Sequence, residues 1–94
     1  MIKVLIERHL LEGLEAEYQA ASKSLLQGCM AFPGYISGES LRDIERPNHR
    51  VIITLWSSLS AWQQWEKSDQ RAQLLAGIAG LLAADEKVLL LTPV

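Results

Sequence analysis

Residues 55–71 read LWSSLSAWQQWEKSDQR and hold all three tryptophans of the chain, Trp56, Trp62 and Trp65. The only other large aromatics are Tyr18, Phe32 and Tyr35. An indole is costly to bury unless its N–H finds a partner, so three of them at one junction mark a core or the wall of an aromatic-binding cleft. Val51 to Trp56 is β-branched and aromatic enough for a strand, and it stops at Ser57-Ser58, whose hydroxyls suit the orphan N–H groups of a following helix. The spacing predicts a helix from about Leu59, with the N-cap open between Ser58 and Ser60, the latter standing three residues before Gln63. Leu59, Trp62 and Trp65 or Glu66 share one face of that helix, and Gln63, Gln64 and Lys67 face water. Ser68-Asp69 offers a second helix start, with Ala72, Leu75, Ile78 or Ala79, and Leu82 as its apolar stripe.

Outward from that stretch the chain reads simply. Ile2 to His9 alternates as a strand, with Ile2, Val4 and Ile6 on one face and Lys3, Leu5, Glu7 and His9 on the other. Leu14, Tyr18, Ala21, Leu25 and Cys29 follow at helical spacing behind an acidic start. Phe32-Pro33-Gly34 ends that helix, because proline cannot continue the ladder and glycine supplies turn geometry. Tyr35 to Asp43 is a second strand, where Gly38 marks a bulge or a close approach to the backbone. Arg46-Pro47-Asn48 turns into the third strand, His49 to Trp56. The segment from Asp85 to Val94 ends the pattern as a fourth strand stopped by Pro93. The order is β-α-β-β-α-β, the ferredoxin-like arrangement of the α+β class, in one domain spanning residues 1–94.

The third and fourth strands are apolar on both faces: Val51, Ile53 and Leu55 against Ile52 and Trp56, and Val88 and Leu90 against Leu89 and Leu91. Helices cover only one side of such a sheet, and the six elements leave nothing for the other. The economical cover is a second copy, giving an isologous homodimer with two sheets face to face. A chain of 94 residues buries only about 60–65% of its unfolded surface, so association also helps its thin core.

Composition removes several function classes. A formal charge of −2 and a pI near 5.6 give no basic footprint for nucleic acid. The single cysteine, Cys29, excludes an internal disulfide and a cysteine-rich metal site, and its position suits a buried small hydrophobe. No apolar run approaches the ~20 residues of a bilayer span, and Lys3, Glu7 and Arg8 interrupt the first strand where a signal peptide needs apolar residues; a cytoplasmic location is the expectation. P-loop, dinucleotide and nucleophile-elbow motifs are absent.

Glu7 and His9 share a strand face and form a carboxylate–imidazole pair suited to proton abstraction, against the plainer reading of solvated strand-end groups. His9 and His49 have neither i, i+4 spacing nor thiolate company, so no metal site is expected. Arg42, Arg46 and Arg50 straddle the hairpin, where they grip an anionic group or simply keep the turn soluble.

The runs PGYISGESLRD and VIITLWSSLSAWQQWEKSDQR resemble the antibiotic biosynthesis monooxygenase family of dimeric α+β barrels. That family has a proline-glycine turn into strand two, a strand ending W-x-S, and a helix of the form A-x-x-x-W-x-x-S, matched by Pro33 and Gly34, Trp56 and Ser58, and Ala61, Trp65 and Ser68. The resemblance implies a cofactor-independent oxygenase that takes a small aromatic, quinol- or anthrone-like molecule and dioxygen. The deprotonated substrate passes an electron to dioxygen without flavin or metal. It leaves open a non-catalytic ligand-binding or stress-associated domain, and a signal-molecule isomerase. The haem-degrading branch uses a strand-one asparagine, the helix tryptophan and a histidine ten residues after it. Here those positions are read as Glu7, Trp65 and Leu75, which speaks against haem. The expected site is Trp65, Glu7 and His9 for catalysis and Trp56, Trp62 and Arg42 for substrate contact, with no cofactor or metal. Strand facing, not a matched motif, is the basis for Glu7 and His9.

Overall fold

A computed structural model describes residues 1–94. The elements run β1 (Ile2–His9), α1 (Glu15–Met30), β2 (Tyr35–Arg42), β3 (His49–Trp56), α2 (Leu59–Glu66), α3 (Asp69–Ala79) and β4 (Lys87–Leu91). The four strands form one antiparallel sheet in the order β2-β3-β1-β4, so β3 is inserted between β1 and β2 as the ferredoxin-like reading requires.

The starts of α2 and α3 are set by serine, whereas α1 starts behind Leu14 with no side-chain cap. Ser58 caps α2, its Oγ accepting the Ala61 N–H at 3.1 Å, which decides between the two candidate caps. Ser68 repeats the device for α3, its Oγ accepting the Arg71 N–H at 3.1 Å. The helix ends where proline and glycine stand: Gly34 takes φ +92°, and a Cβ there would run into the Ala61 side chain. The Gly34 carbonyl accepts the Ser57 N–H at 2.8 Å, so this turn ties the entry of β2 to the β3–α2 junction.

The inner face of the sheet, under the helices, presents Val4, Ile6, Ile52, Thr54 and Trp56, all buried. Tyr18, Leu25 and Cys29 of α1, Trp62 and Trp65 of α2, and Ile78 of α3 close over them. Trp56 is fully enclosed, edge-on to Tyr35 at 5.7 Å and to Trp62 at 5.8 Å between ring centroids. Gly28 lets α1 come down on α3, because a Cβ there would meet Leu74 Cδ1 at 2.8 Å and Trp65 Cη2 at 3.4 Å. The buried stripe of α3 departs from the one read in sequence. Arg71 and Ile78 are buried with Leu74 and Leu75 half-buried, whereas Ala72 and Ala79 face out. The irregularity in β2 falls between Tyr35 and Ser37, and Gly38 is the close approach, its hypothetical Cβ lying 2.6 Å from the Tyr35 hydroxyl. β4 stops at Leu91, short of Pro93.

The outer face carries Leu5, Val51, Ile53, Leu55, Leu41, Leu89 and Leu91, placed together by the strand registers. Leu41, Leu89 and Leu91 are 42–45% exposed, so the second apolar face read from the sequence is present and uncovered within one chain.

Candidate functional site: a tryptophan and arginine walled cavity

A small pocket of about 30 Å³ lies between the inner face of the sheet and the helices, walled by Ile6, Ile52, Leu25, Cys29, Trp62 and Trp65 with Arg8 and Arg71. It shares Ser22, Leu26, Ser40 and Ile52 with a wider groove of about 440 Å³ between α1 and strands β2 and β3, where Arg42 and Arg50 stand. Together they give an apolar inner chamber with a polar mouth, a form common among small-molecule sites.

The polar groups of the chamber come from positions that periodicity assigns to core. Arg8 follows Val4 and Ile6 on the inner parity of β1 and is 1% exposed. A buried guanidinium is tolerated only when paired. Its Nε donates to Glu86 Oε2 at 2.8 Å, and its Nη1 donates to the Tyr18 hydroxyl at 3.1 Å. Arg71 reaches the other oxygen of the same carboxylate, Nη2 to Oε1 at 2.8 Å, and its guanidinium lies 5.5 Å from the Trp62 ring centre. Burial alone would raise the Glu86 carboxyl. The hydrogen bond from Arg71 and the charge and hydrogen bond of Arg8 outweigh it and hold the group below its ordinary value. Two guanidinium cations against one carboxylate leave this network with a net charge of +1.

Two tryptophans of the expected site line the chamber and one does not. Trp65 is packed at 2% exposure against Phe32, ring centres 5.2 Å apart, and forms part of the wall, so it is core and lining at once. Trp62 is equally buried, yet its indole N–H has no partner. Trp56 belongs to the core alone: its N–H donates to Thr54 Oγ1 at 3.0 Å, and it does not reach the cavity. Arg42 stands at the outer groove, away from the inner wall. Cys29 lines the cavity, but burial pushes its thiol up to about 12 despite the nearby charge of Arg71, so it is no thiolate nucleophile.

Glu7 and His9 are not brought to Trp65. Strand alternation sends them to the outer face, opposite the chamber, as it sends Arg8 inward. There they meet His49: His9 and His49 are direct cross-strand partners with parallel rings 4.6 Å apart, and His49 Nε2 lies 3.1 Å from Glu7 Oε2. On its other side His49 Nδ1 lies 2.9 Å from Asp43 Oδ2. The Asp43 and Glu7 contacts raise the imidazole pKa, and the His49 bond, with the Glu45 and Arg46 backbone N–H groups, holds Asp43 down at about 2. The outward direction of Glu7 also corrects the strand-one position compared with the haem-degrading branch. The inner-face neighbours are Ile6 and Arg8, neither of them an asparagine, and Leu75 packs on the core away from the cavity wall.

Sequence reasoning missed Arg8, Arg71 and Glu86. For Arg8 the signal was present, since a charge at inward parity in a strand demands a buried partner. For Glu86, in the segment before β4, there was none.

Comparison with known proteins agrees with this architecture. The family model described as antibiotic biosynthesis monooxygenase matches residues 1–76. A crystal structure of an antibiotic biosynthesis monooxygenase superposes with a TM-score of 0.91 at 19% identity, covering 100% of this chain and 99% of that one. SnoaB of Streptomyces nogalater, a cofactor-independent oxygenase, superposes with a TM-score of 0.86 at 17% identity over 98% of this chain and 92% of its own. Among curated proteins, Protein SchA of Streptomyces halstedii is 23% identical over 74 residues, which are 79% of this chain and 20% of that protein. A 42.8 kDa protein in the whiE locus of Streptomyces coelicolor is 20% identical over 78 residues, again 20% of its length. This chain thus spans about one fifth of the length of the curated relatives it matches. With the family model covering β1 through most of α3, the chain belongs to the antibiotic biosynthesis monooxygenase family.

Proposed function

We propose that the chain is a cofactor-independent oxygenase of a small aromatic, quinol- or anthrone-like compound, working in the groove between α1 and strands β2 and β3, whose inner end reaches the pocket lined by Trp62 and Trp65. The observation that carries this reading is Trp62, which lines the pocket with Arg71 close to its ring and keeps a buried indole N–H without a partner. A buried donor left unpaired costs about 1–3 kcal/mol, a cost recovered when a ligand oxygen accepts from it. Flat apolar walls with a net positive network behind them suit an aromatic ring carrying an ionised oxygen.

The chemistry follows from that charge. Among the lining residues there is no carboxylate or imidazole, so deprotonation is electrostatic: Arg8 and Arg71 stabilise the phenolate or enolate, and the proton leaves to water through the groove. The anion transfers one electron to dioxygen, and the substrate radical and superoxide recombine at carbon as a peroxide. Loss of water across the O–O bond then leaves a new carbonyl, one oxygen atom entering the product and the other departing in water. The protein's part is to orient the ring on Trp62 and Trp65, hold its anion and limit water. A second copy covering the outer face completes the reading as a homodimer, supported by the uncovered leucines there.

Oxygen uptake by chelator-treated protein over a panel of quinols and anthrones tests this function. Turnover that falls steeply in Arg71→Met, with the fold retained, is the expected result. A panel that binds without consuming oxygen favours the ligand-binding alternative and refutes the enzyme.

A further inference from the structure

The outer-face cluster is separate from the chamber and stands at the His9–His49 end of the β1–β3 ladder, past Leu5, Leu55, Leu89 and Leu91, where it can stay open beside a second copy seated on those leucines. We propose that Glu7, His9 and His49 bind a divalent transition metal of the zinc class, with Asp43 as the outer partner that orients His49. One donor atom from each of Glu7, His9 and His49 lies within 4.8 Å of the others. A tetrahedral ion with bonds of about 2.0–2.2 Å needs its donors roughly 3.4 Å apart, and His49 Nε2 and Glu7 Oε2 already stand at 3.1 Å. His9 is exposed but stacked flat on His49, so its ring must turn out of the stack to aim a nitrogen at the same ion.

The antiparallel register does the assembling. Pairing His9 with His49 across β1 and β3 puts two imidazoles side by side, and Glu7, two residues back on β1, shares their face. A metal that displaces the proton between His49 Nε2 and Glu7 would leave Nδ1–H donated to Asp43 and the Nε2 lone pair aimed at the ion beside Glu7. Asp43 also accepts the backbone N–H groups of Glu45 and Arg46, which fixes the turn and the aim of its second oxygen. Lys87 stands opposite Glu7 across the β1–β4 pair without forming an ion pair, leaving that carboxylate to the cluster. Two imidazoles and one carboxylate suit zinc, cobalt, nickel or iron rather than magnesium or calcium, and three protein ligands leave a position for water.

Titration of the metal-stripped 94-residue chain with cobalt(II), read by visible absorption, and with zinc in competition tests the site. One metal per chain is expected, with a nitrogen and oxygen ligand spectrum that lacks a thiolate charge-transfer band. His9→Ala and His49→Ala should each weaken binding by at least about 10–100-fold, and Asp43→Asn, which keeps the turn contacts, by about 10-fold or more. Because His9 is exposed, its variant folds like the parent and keeps the test decisive. Affinity unchanged in His9→Ala, a thiolate band from Cys29, or one metal per two chains would each overturn the proposal.

Discussion

Replacing Glu86 by alanine removes the single carboxylate that neutralises two buried guanidiniums. Arg8 is 1% and Arg71 8% exposed at the side chain, so neither is solvated in place. Breaking a buried pair costs about 3–5 kcal/mol when the remaining charge has nothing else. Here each arginine keeps something: Arg8 its bond to the Tyr18 hydroxyl, Arg71 its place near the Trp62 ring. Glu86 itself is 14% exposed, which admits some water to the gap. Those residual contacts bring the expected loss to about 2–4 kcal/mol. For a domain of this size each kcal/mol moves Tm by roughly 4–8 °C, so Glu86→Ala should melt at least about 10 °C lower. Urea unfolding at neutral pH should show a lower midpoint with an unchanged m-value. Glu86→Gln, keeping one acceptor oxygen but no charge, should fall between the two. A Glu86→Ala protein within about 0.5 kcal/mol of the parent would refute the claim that this carboxylate holds the network.

Other outcomes follow from the same geometry. The folded Glu86 carboxyl sits below its ordinary value of 4.5, so its contribution is complete above that pH and lost as pH falls through the lower folded value. The parent should accordingly lose stability in acid more steeply than Glu86→Gln, and equal acid profiles would contradict the assignment. Gly34→Ala must place a Cβ at positive φ against Ala61 and should cost about 1–3 kcal/mol in urea denaturation. Ser58→Ala and Ser68→Ala each remove an N-cap acceptor and should cost about 1 kcal/mol apiece, additively to within a few tenths. On the outer face, Leu89→Glu should convert a sedimenting dimer to monomer, because a stable interface needs roughly 800 Å² per partner and this leucine is part of the apolar surface available for it. A folded wild-type monomer at micromolar concentration would show that the outer face does not pair two copies.

Local chemistry made the elements readable and long-range pairing hid the site. β3 runs from His49 to Trp56 as its composition and the Ser57-Ser58 stop dictate, and Ser68 restarts the helix as its side chain predicts. The strict period of two in β1 was equally legible, and it already placed Glu7 and His9 on the face away from Ile6. Their joint role with Trp65 required the opposite parity. Arg71 escaped because an arginine on a helix reads as solvated until its partner is known, and that partner, Glu86, lies fifteen residues on before the next strand. The meeting of His9 with His49 depends on a register between strands forty residues apart, which no local spacing reveals.

If the groove and its inner wall receive an anionic aromatic ligand that draws on the unpartnered Trp62 N–H, anaerobic calorimetric titration with a hydroxyanthraquinone, the stable oxidised counterpart of an anthrone, will detect it. Trp62→Phe keeps an aromatic ring but no donor, and it also deletes an unsatisfied buried group, so its Tm should stay within a few degrees of the parent. One site per chain is expected in the parent, with an affinity lower by about 5–30-fold in Trp62→Phe, matching a hydrogen bond worth about 1–2 kcal/mol. Equal affinity in the two proteins, or no binding to the parent, would contradict it.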